Sequence, residues 1–312
     1  MAEYKGIHGT KIQNYTSDPD NPLQGQVWYN ETANTLKYFY INPGSWATGG
    51  SLNTARSALA GAGTQTAALA FGGSPPVVAI TESYNGTSWT EVNDMNTARY
   101  RLAGVGTQTA ALVFGGFIPP STAATETWNG TNWTAVNSMN TARHFLAGAG
   151  TNTAALAFGG ESPITAITEL WNGTNWAEVN DLNTARFQLA GCGTQTAALG
   201  FGGYSGPITA NTETWNGTNW TEVNNLNTAR QGLAGAGTNT AALAFGGTPP
   251  TTGATESWNG TNWTEVGDLG TARYTLAGAG TNTAALGFGG YSTTAATEEW
   301  NAGPATVTIT TD

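Results

Sequence analysis

The string Asn-Thr-Ala-Arg, two varying residues, then Leu-Ala-Gly occurs five times in this chain, and a sixth copy begins Gly-Thr-Ala-Arg. Its arginines, Arg56, Arg99, Arg143, Arg186, Arg230 and Arg273, are separated by 43, 44, 43, 44 and 43 residues. Repetition at that period is the signature of stacked or ring-like supersecondary units, each too small to bury a core alone. The repeat therefore decides the fold class before composition is consulted.

Each copy carries the same further landmarks. A glycine pair follows the arginine, from Gly72-Gly73 to Gly289-Gly290. Then comes Thr-Glu-x-aromatic, ending at Tyr84, Trp128, Trp171, Trp215, Trp258 and Trp300. A second tryptophan stands five residues on, at Trp89, Trp133, Trp176, Trp220 and Trp263. Its sixth member lies upstream: Trp46 precedes Arg56 by ten residues, as Trp89 precedes Arg99. Four short strands fit one copy: a (LAGAG), b (AALAF), c (TETW) and d (WTEV). Strand b alternates at period 2, and no segment has helical apolar spacing. Asn-Gly between c and d is a strong short-hairpin signal, because it accepts positive φ at low cost. With 43 glycines, 12 tryptophans and few bulky aliphatics, the core must combine small residues with aromatic plates.

Four strands in about 43 residues predict a β-propeller blade, and six copies predict six blades. The permutation supports a closed ring. The last copy stops after strand c, and the strand d it lacks is supplied by the N-terminal segment around Trp46. A ring closed this way leaves no open edge. The double glycine with paired aromatics over residues 37–301 resembles the kelch repeat, which implies an all-β, six-bladed propeller. Trp in place of the usual Tyr, and a shorter blade, are departures from that pattern. Residues 1–36 then read as an arm and residues 302–312 as a tail.

Tracing one blade places the a–b and c–d turns at one end of the ring and the b–c and d–a loops at the other. The first end is uniform: GTQT or GTNT, and NGTNW with NGTSW and NPGSW as variants. The second end varies. It carries the pair after each arginine and the loop after each glycine pair. We name as a candidate ligand-binding face Ser57, Tyr100, Arg101, His144, Phe145, Phe187, Gln188, Gln231 and Tyr274 from the pairs. From the loops we add Phe117, Ile118, Glu161, Tyr204 and Tyr291. Aromatic, Arg and adaptable polar side chains on loops of a rigid scaffold are the usual material of binding surfaces. The six repeat arginines read as a structural ring, tying blade to blade by hydrogen bonds or through Glu82, Glu126, Glu169, Glu213, Glu256 and Glu298. The tryptophans read as packing plates. Cys192, the single cysteine, reads as a small buried filler, and the recurrent Asn-x-Thr strings as turn chemistry.

The net charge of −10, with no basic run, argues against a nucleic-acid partner. No apolar stretch could span a membrane. No spacing suits a metal site and no cofactor is implied. Two histidines, His8 and His144, leave little material for catalysis, so a non-enzymatic role is expected. Arg101 with His144 and Glu161 is the nearest approach to a catalytic cluster.

The arm contains Lys5, Lys11 and GQVWYNETANTLKYFY, read as a hairpin of VWYN and LKYFY. This string resembles N-terminal segments of bacteriophage tail-fibre and related virion proteins. The resemblance implies a virion appendage, assembled in the host cytoplasm without a signal peptide. Its arm would bind other virion proteins or form a homo-oligomer. Its propeller would meet a host surface glycan or protein. A structural virion component and a glycan-degrading propeller enzyme are the alternatives. The tail, alternating from Thr306 to Thr310, is expected to pair with the closing blade or with the arm.

Overall fold

In a computed structural model, which describes residues 12–291 and 293–309, each repeat forms one antiparallel sheet. Lys5, His8, Lys11 and Thr310 lie outside the described residues. Blade 1 comprises strands Ala60–Gly63, Ala68–Phe71, Thr81–Tyr84 and Trp89–Val92, paired in that order. Blades 2 to 5 repeat the order, ending at Val136, Val179, Val223 and Glu265. Blade 6 takes Ala277–Gly280, Ala284–Phe288 and Thr297–Ile309 as strands a to c, and Thr35–Thr48 as strand d. The six inner strands contact one another around a closed circle, blade 6 against blade 1. The protein is a six-bladed β-propeller closed by an N-terminal strand.

The packing explains why the repeat is so uniform. Each strand d tryptophan lies on the strand b phenylalanine of the preceding blade, with ring centroids 4.7–5.1 Å apart. Its Nε1–H donates to the strand c threonine of that blade at 3.0–3.1 Å. The phenylalanine in turn covers the Leu-Ala-Gly strand of the next blade. A Cβ on Gly61, Gly148 or Gly191 would come within 3.0 Å of that ring, so only glycine fits. Aromatic plates thus fill the inter-blade space, and the inner strands are kept thin to receive them.

Trp46 takes the same place in the closing blade. It packs on Phe245 and Trp300, and its indole donates to Thr255 Oγ1 at 3.0 Å. At the seam between blades 6 and 1, Tyr84 stands where the other copies have Trp, and its hydroxyl donates to Glu299 Oε1 at 2.5 Å. Burial and that carboxylate push the Tyr84 pKa up to about 12.

One turn is not where the sequence places it. NPGSW, read as the sixth c–d turn, lies inside the continuous strand Thr35–Thr48, and NAGP lies inside Thr297–Ile309. The ring is cut at this turn, so both strands run on in place of a hairpin. The chain divides into two units: the propeller from Ser45 to Asn301, and a unit made of residues up to Gly44 with those from Ala302 onward. The tail therefore belongs with the arm. Within that second unit, Val27–Asn30 pairs antiparallel with Thr35–Tyr38, and Gln13–Tyr15 adds in parallel to Val27–Asn30. Asp18 joins it by accepting from Trp28 Nε1, Asn30 Nδ2 and Lys37 Nζ at 2.7–3.0 Å, which holds its carboxyl down at about 2.

Candidate functional site: the variable face of the propeller

The repeat arginine builds the frame beneath this face. All six are at most 1% exposed, and each pairs with the strand c glutamate of its own blade. Burial lowers the pKa of Arg99, Arg143, Arg186, Arg230 and Arg273, and the facing glutamate opposes that shift. The same glutamate accepts from the backbone and side-chain N–H of the repeat asparagine, as Glu169 does from Asn140 at 2.7 and 2.9 Å. The carboxylate link is thus within a blade. The link between blades runs through the arginine backbone: its carbonyl accepts from the second glycine of the preceding blade, as Arg99 does from Gly73 at 3.0 Å. Fixing Asn, Arg and Gly-Gly together leaves the two residues after the arginine in a defined position at the ring's mouth.

Those two residues have distinct tasks. The first forms an antiparallel bridge with the residue after the glycine pair: Ser57 with Ser74, Tyr100 with Phe117, His144 with Glu161, Phe187 with Tyr204, Gln231 with Thr248 and Tyr274 with Tyr291. The second closes a circle. The backbone N–H groups of Ala58, Arg101, Phe145, Gln188, Gly232 and Thr275 each donate to the carbonyl of the equivalent residue in the preceding blade, at 2.6–2.9 Å. All six have φ between 50 and 63°. With the leucines below, they surround a mouth of about 120 Å³, beneath which the channel is walled by the Leu-Ala-Gly strands.

A left-handed conformation costs a residue with a Cβ about 1–2 kcal/mol. Glycine would avoid that cost, and only blade 5 uses it. Five blades therefore carry strain to place a side chain at the mouth, the kind of outlier that marks functional positions. Gln188→Gly should leave the melting temperature unchanged or raise it slightly, because relief of strain offsets the chain entropy that glycine loses, roughly 0.5–1 kcal/mol. A clear drop in a thermal melt would contradict this account of the circle.

The side chains are not spread evenly. Tyr100, Phe117, His144, Phe145, Phe187 and Tyr204 form an unbroken run of ring contacts with centroids 4.9–6.1 Å apart across blades 2 to 4. Tyr274 and Tyr291 make a separate pair on blade 6, 4.9 Å apart, with Tyr291 53% exposed. Blades 1 and 5 hold only Ser57, Ala58 and Ser74, and Gln231, Gly232 and Thr248, at the corresponding places. Sequence reading named these residues but not the arc, because the run depends on which blades are neighbours. Ile118 is partly buried in the loop after Phe117 and takes no part in the ring contacts. Two named residues, Ser57 and His144, are buried at 8% and 7% exposure, so they support the face more than they present it.

Sequence reading also missed Ser121. Its Oγ lies 2.9 Å from His144 Nδ1, while His144 Nε2 lies 3.4 Å from Glu161 Oε2. Burial lowers the His144 pKa from its ordinary 6.5; Glu161 opposes this and Arg101 adds to it. The unfolded chain thus takes up a proton on this histidine more readily than the folded one. Its contribution to stability is full at neutral pH and is lost as pH falls below about 6.5. His144→Asn should therefore flatten the fall in melting temperature between pH 7 and pH 5 relative to wild type. Equal slopes would contradict the assignment.

Cys192 is buried, and burial pushes its thiol up to about 12, so it is inert filler. The Asn-x-Thr strings are turns: Asn129 Oδ1 accepts from the N–H of Thr131 and Asn132 at 2.9 and 2.8 Å. Among the described residues, no group of three or more His, Cys, Asp or Glu side chains could hold a metal ion. In comparison with known proteins, neither a family model nor a curated protein matches the chain.

Proposed function

We propose that the propeller is a non-enzymatic recognition module, which reads a host surface glycan or protein through its variable face as part of a bacteriophage virion appendage. The observation that carries the binding role is the aromatic arc on blades 2 to 4, at the mouth of a ring whose packing is otherwise repeated six times. Rigid aromatic anchors contribute contact area at low entropic cost. The virion assignment rests on the likeness of GQVWYNETANTLKYFY to tail-fibre segments. It is consistent with the chain entering and leaving the propeller at Ser45 and Asn301, on the strand ends opposite the variable loops.

The test is binding of the full chain to bacterial envelope extracts. It is compared with a variant carrying Tyr100→Ser, Phe145→Asn, Phe187→Ser and Tyr274→Ser; Asn is chosen at 145 because it tolerates positive φ. Binding should weaken by about tenfold or more while the melt stays within a few degrees, since buried aromatic anchors are the usual hot spots. Undiminished binding would remove the face from the mechanism. No binding by either chain would favour a structural virion part that uses the face for subunit contacts.

The Ser121–His144–Glu161 chain favours a second reading, a glycan-degrading enzyme. That reading requires soluble product release from the envelope polysaccharide, abolished by Ser121→Ala. Binding without product release dismisses it.

A further inference from the structure

Arg101 differs from every other cation among the described residues. The six repeat arginines and Lys37 are each paired with a carboxylate. Arg101 is paired with none; its guanidinium carbon lies over three rings, 4.5 Å from the Phe145 centroid, 5.0 Å from Tyr100 and 5.7 Å from Phe117. Its backbone is locked into the hydrogen-bonded circle, donating to Ala58 and accepting from Phe145 at 2.7 and 2.8 Å. At that place the other blades have Ala, Phe, Gln, Gly and Thr.

Stacking on rings holds a guanidinium by its faces and leaves its N–H edge available, and that edge matches a carboxylate bidentately. Beside it, Phe145, Phe187 and Tyr204 continue as tilted rings 6.1 and 5.4 Å apart. Such plates suit the apolar face of a pyranose, while ring hydroxyls reach solvent or Gln188 at the mouth. Building on the binding role proposed above, we propose that the ligand is a saccharide bearing an isolated carboxylate, read by Arg101, with its sugar ring on the Phe145–Phe187–Tyr204 plates. The net charge of −10 narrows this further. A dense polyanion is repelled by the field of the whole protein, whereas one carboxylate among neutral sugars meets the local cation.

The experiment uses immobilised oligosaccharides that carry one glucuronate, galacturonate or sialate among neutral hexoses, each beside its carboxyl-reduced counterpart. The full chain should bind at least one acidic form about tenfold or more tighter than its reduced form, the range of a charge-assisted hydrogen bond. Arg101→Gln should bind both forms alike, at the level of the reduced form. Its melt should match wild type, because Gln188 already occupies the equivalent place in blade 4. Equal binding of both forms by wild type overturns the carboxylate assignment and leaves the binding role intact. Retained discrimination by Arg101→Gln overturns the role of Arg101. Binding to envelope extracts with no saccharide bound overturns the ligand class. Loss of both takes the binding role with it.

Discussion

A chain lacking residues 1–48 should aggregate, or melt far below the full protein. The deletion removes strand d of blade 6, and with it the hydrogen-bonded neighbour of Thr297–Ile309 in the sheet. It removes the indole between Phe245 and Trp300 and the hydrogen bond to Thr255 Oγ1. An unpaired apolar edge in the middle of a ring is an aggregation template. One contrast would calibrate the loss. Trp133→Ala takes the equivalent indole from an ordinary blade while leaving the backbone ladder paired, and should cost about 3–5 kcal/mol. The deletion should exceed it, because ladder and indole go together. A second control deletes only residues 1–33, which keeps Thr35–Thr48. Its propeller melt should stay near that of the full chain. A synthetic peptide of residues 35–48 should partly restore the longer deletion by strand addition. If the chain from residue 49 melts like wild type, the N-terminal strand does not close the ring.

What could be read from sequence here was what repeats. Six arginines at a regular period, with Trp46 displaced upstream, gave blade number, strand order and closure without any structure. Uniform packing makes the same residue necessary six times, so copies can be compared within one chain. NPGSW shows the limit. It has the letters of a turn, but it lies where the ring is cut, so it runs on as part of Thr35–Thr48 beside Thr297–Ile309, and local letters do not carry that. The variable face was legible as a set of positions and illegible as a site. Blades 2, 3 and 4 supply the arc, and Phe117 touches His144 only because the loop of one blade leans on the pair of the next. Ser121 was hidden for the same reason, being a loop serine with nothing in its own repeat to distinguish it. The hydrogen-bonded circle was hidden differently. Its residues vary precisely where the backbone does not, so the constraint is on φ, and the letters Ala, Arg, Phe, Gln, Gly and Thr conceal it.

Replacing one repeat arginine should cost more than any change on the variable face. In blade 5, Arg230 and Glu256 are each 1% exposed and 3.1 Å apart. Arg230 also donates to the carbonyls of Ala254 and Ala244 at 2.6 and 3.3 Å. Glu256 accepts from the backbone and side chain of Asn227 at 2.7 and 2.9 Å. Arg230→Met keeps most of the packing volume but leaves that carboxylate buried without its cation. Breaking a buried pair from one side costs about 3–5 kcal/mol. For a chain of this size the melting temperature should fall by roughly 5–10 °C. The loss measures an abandoned charge more than the worth of the pair, and a second substitution separates the two. Glu256→Gln added to Arg230→Met removes the charge, keeps an oxygen for Asn227, and supplies an N–H₂ group for the carbonyls that Arg230 served. The double variant should be more stable than Arg230→Met alone, a coupling of about 0.5–3 kcal/mol. If the two losses simply add, the arginine acts by volume and hydrogen bonds alone. The six ion pairs would then be a consequence of the repeat and not the latch that fixes the mouth of the ring.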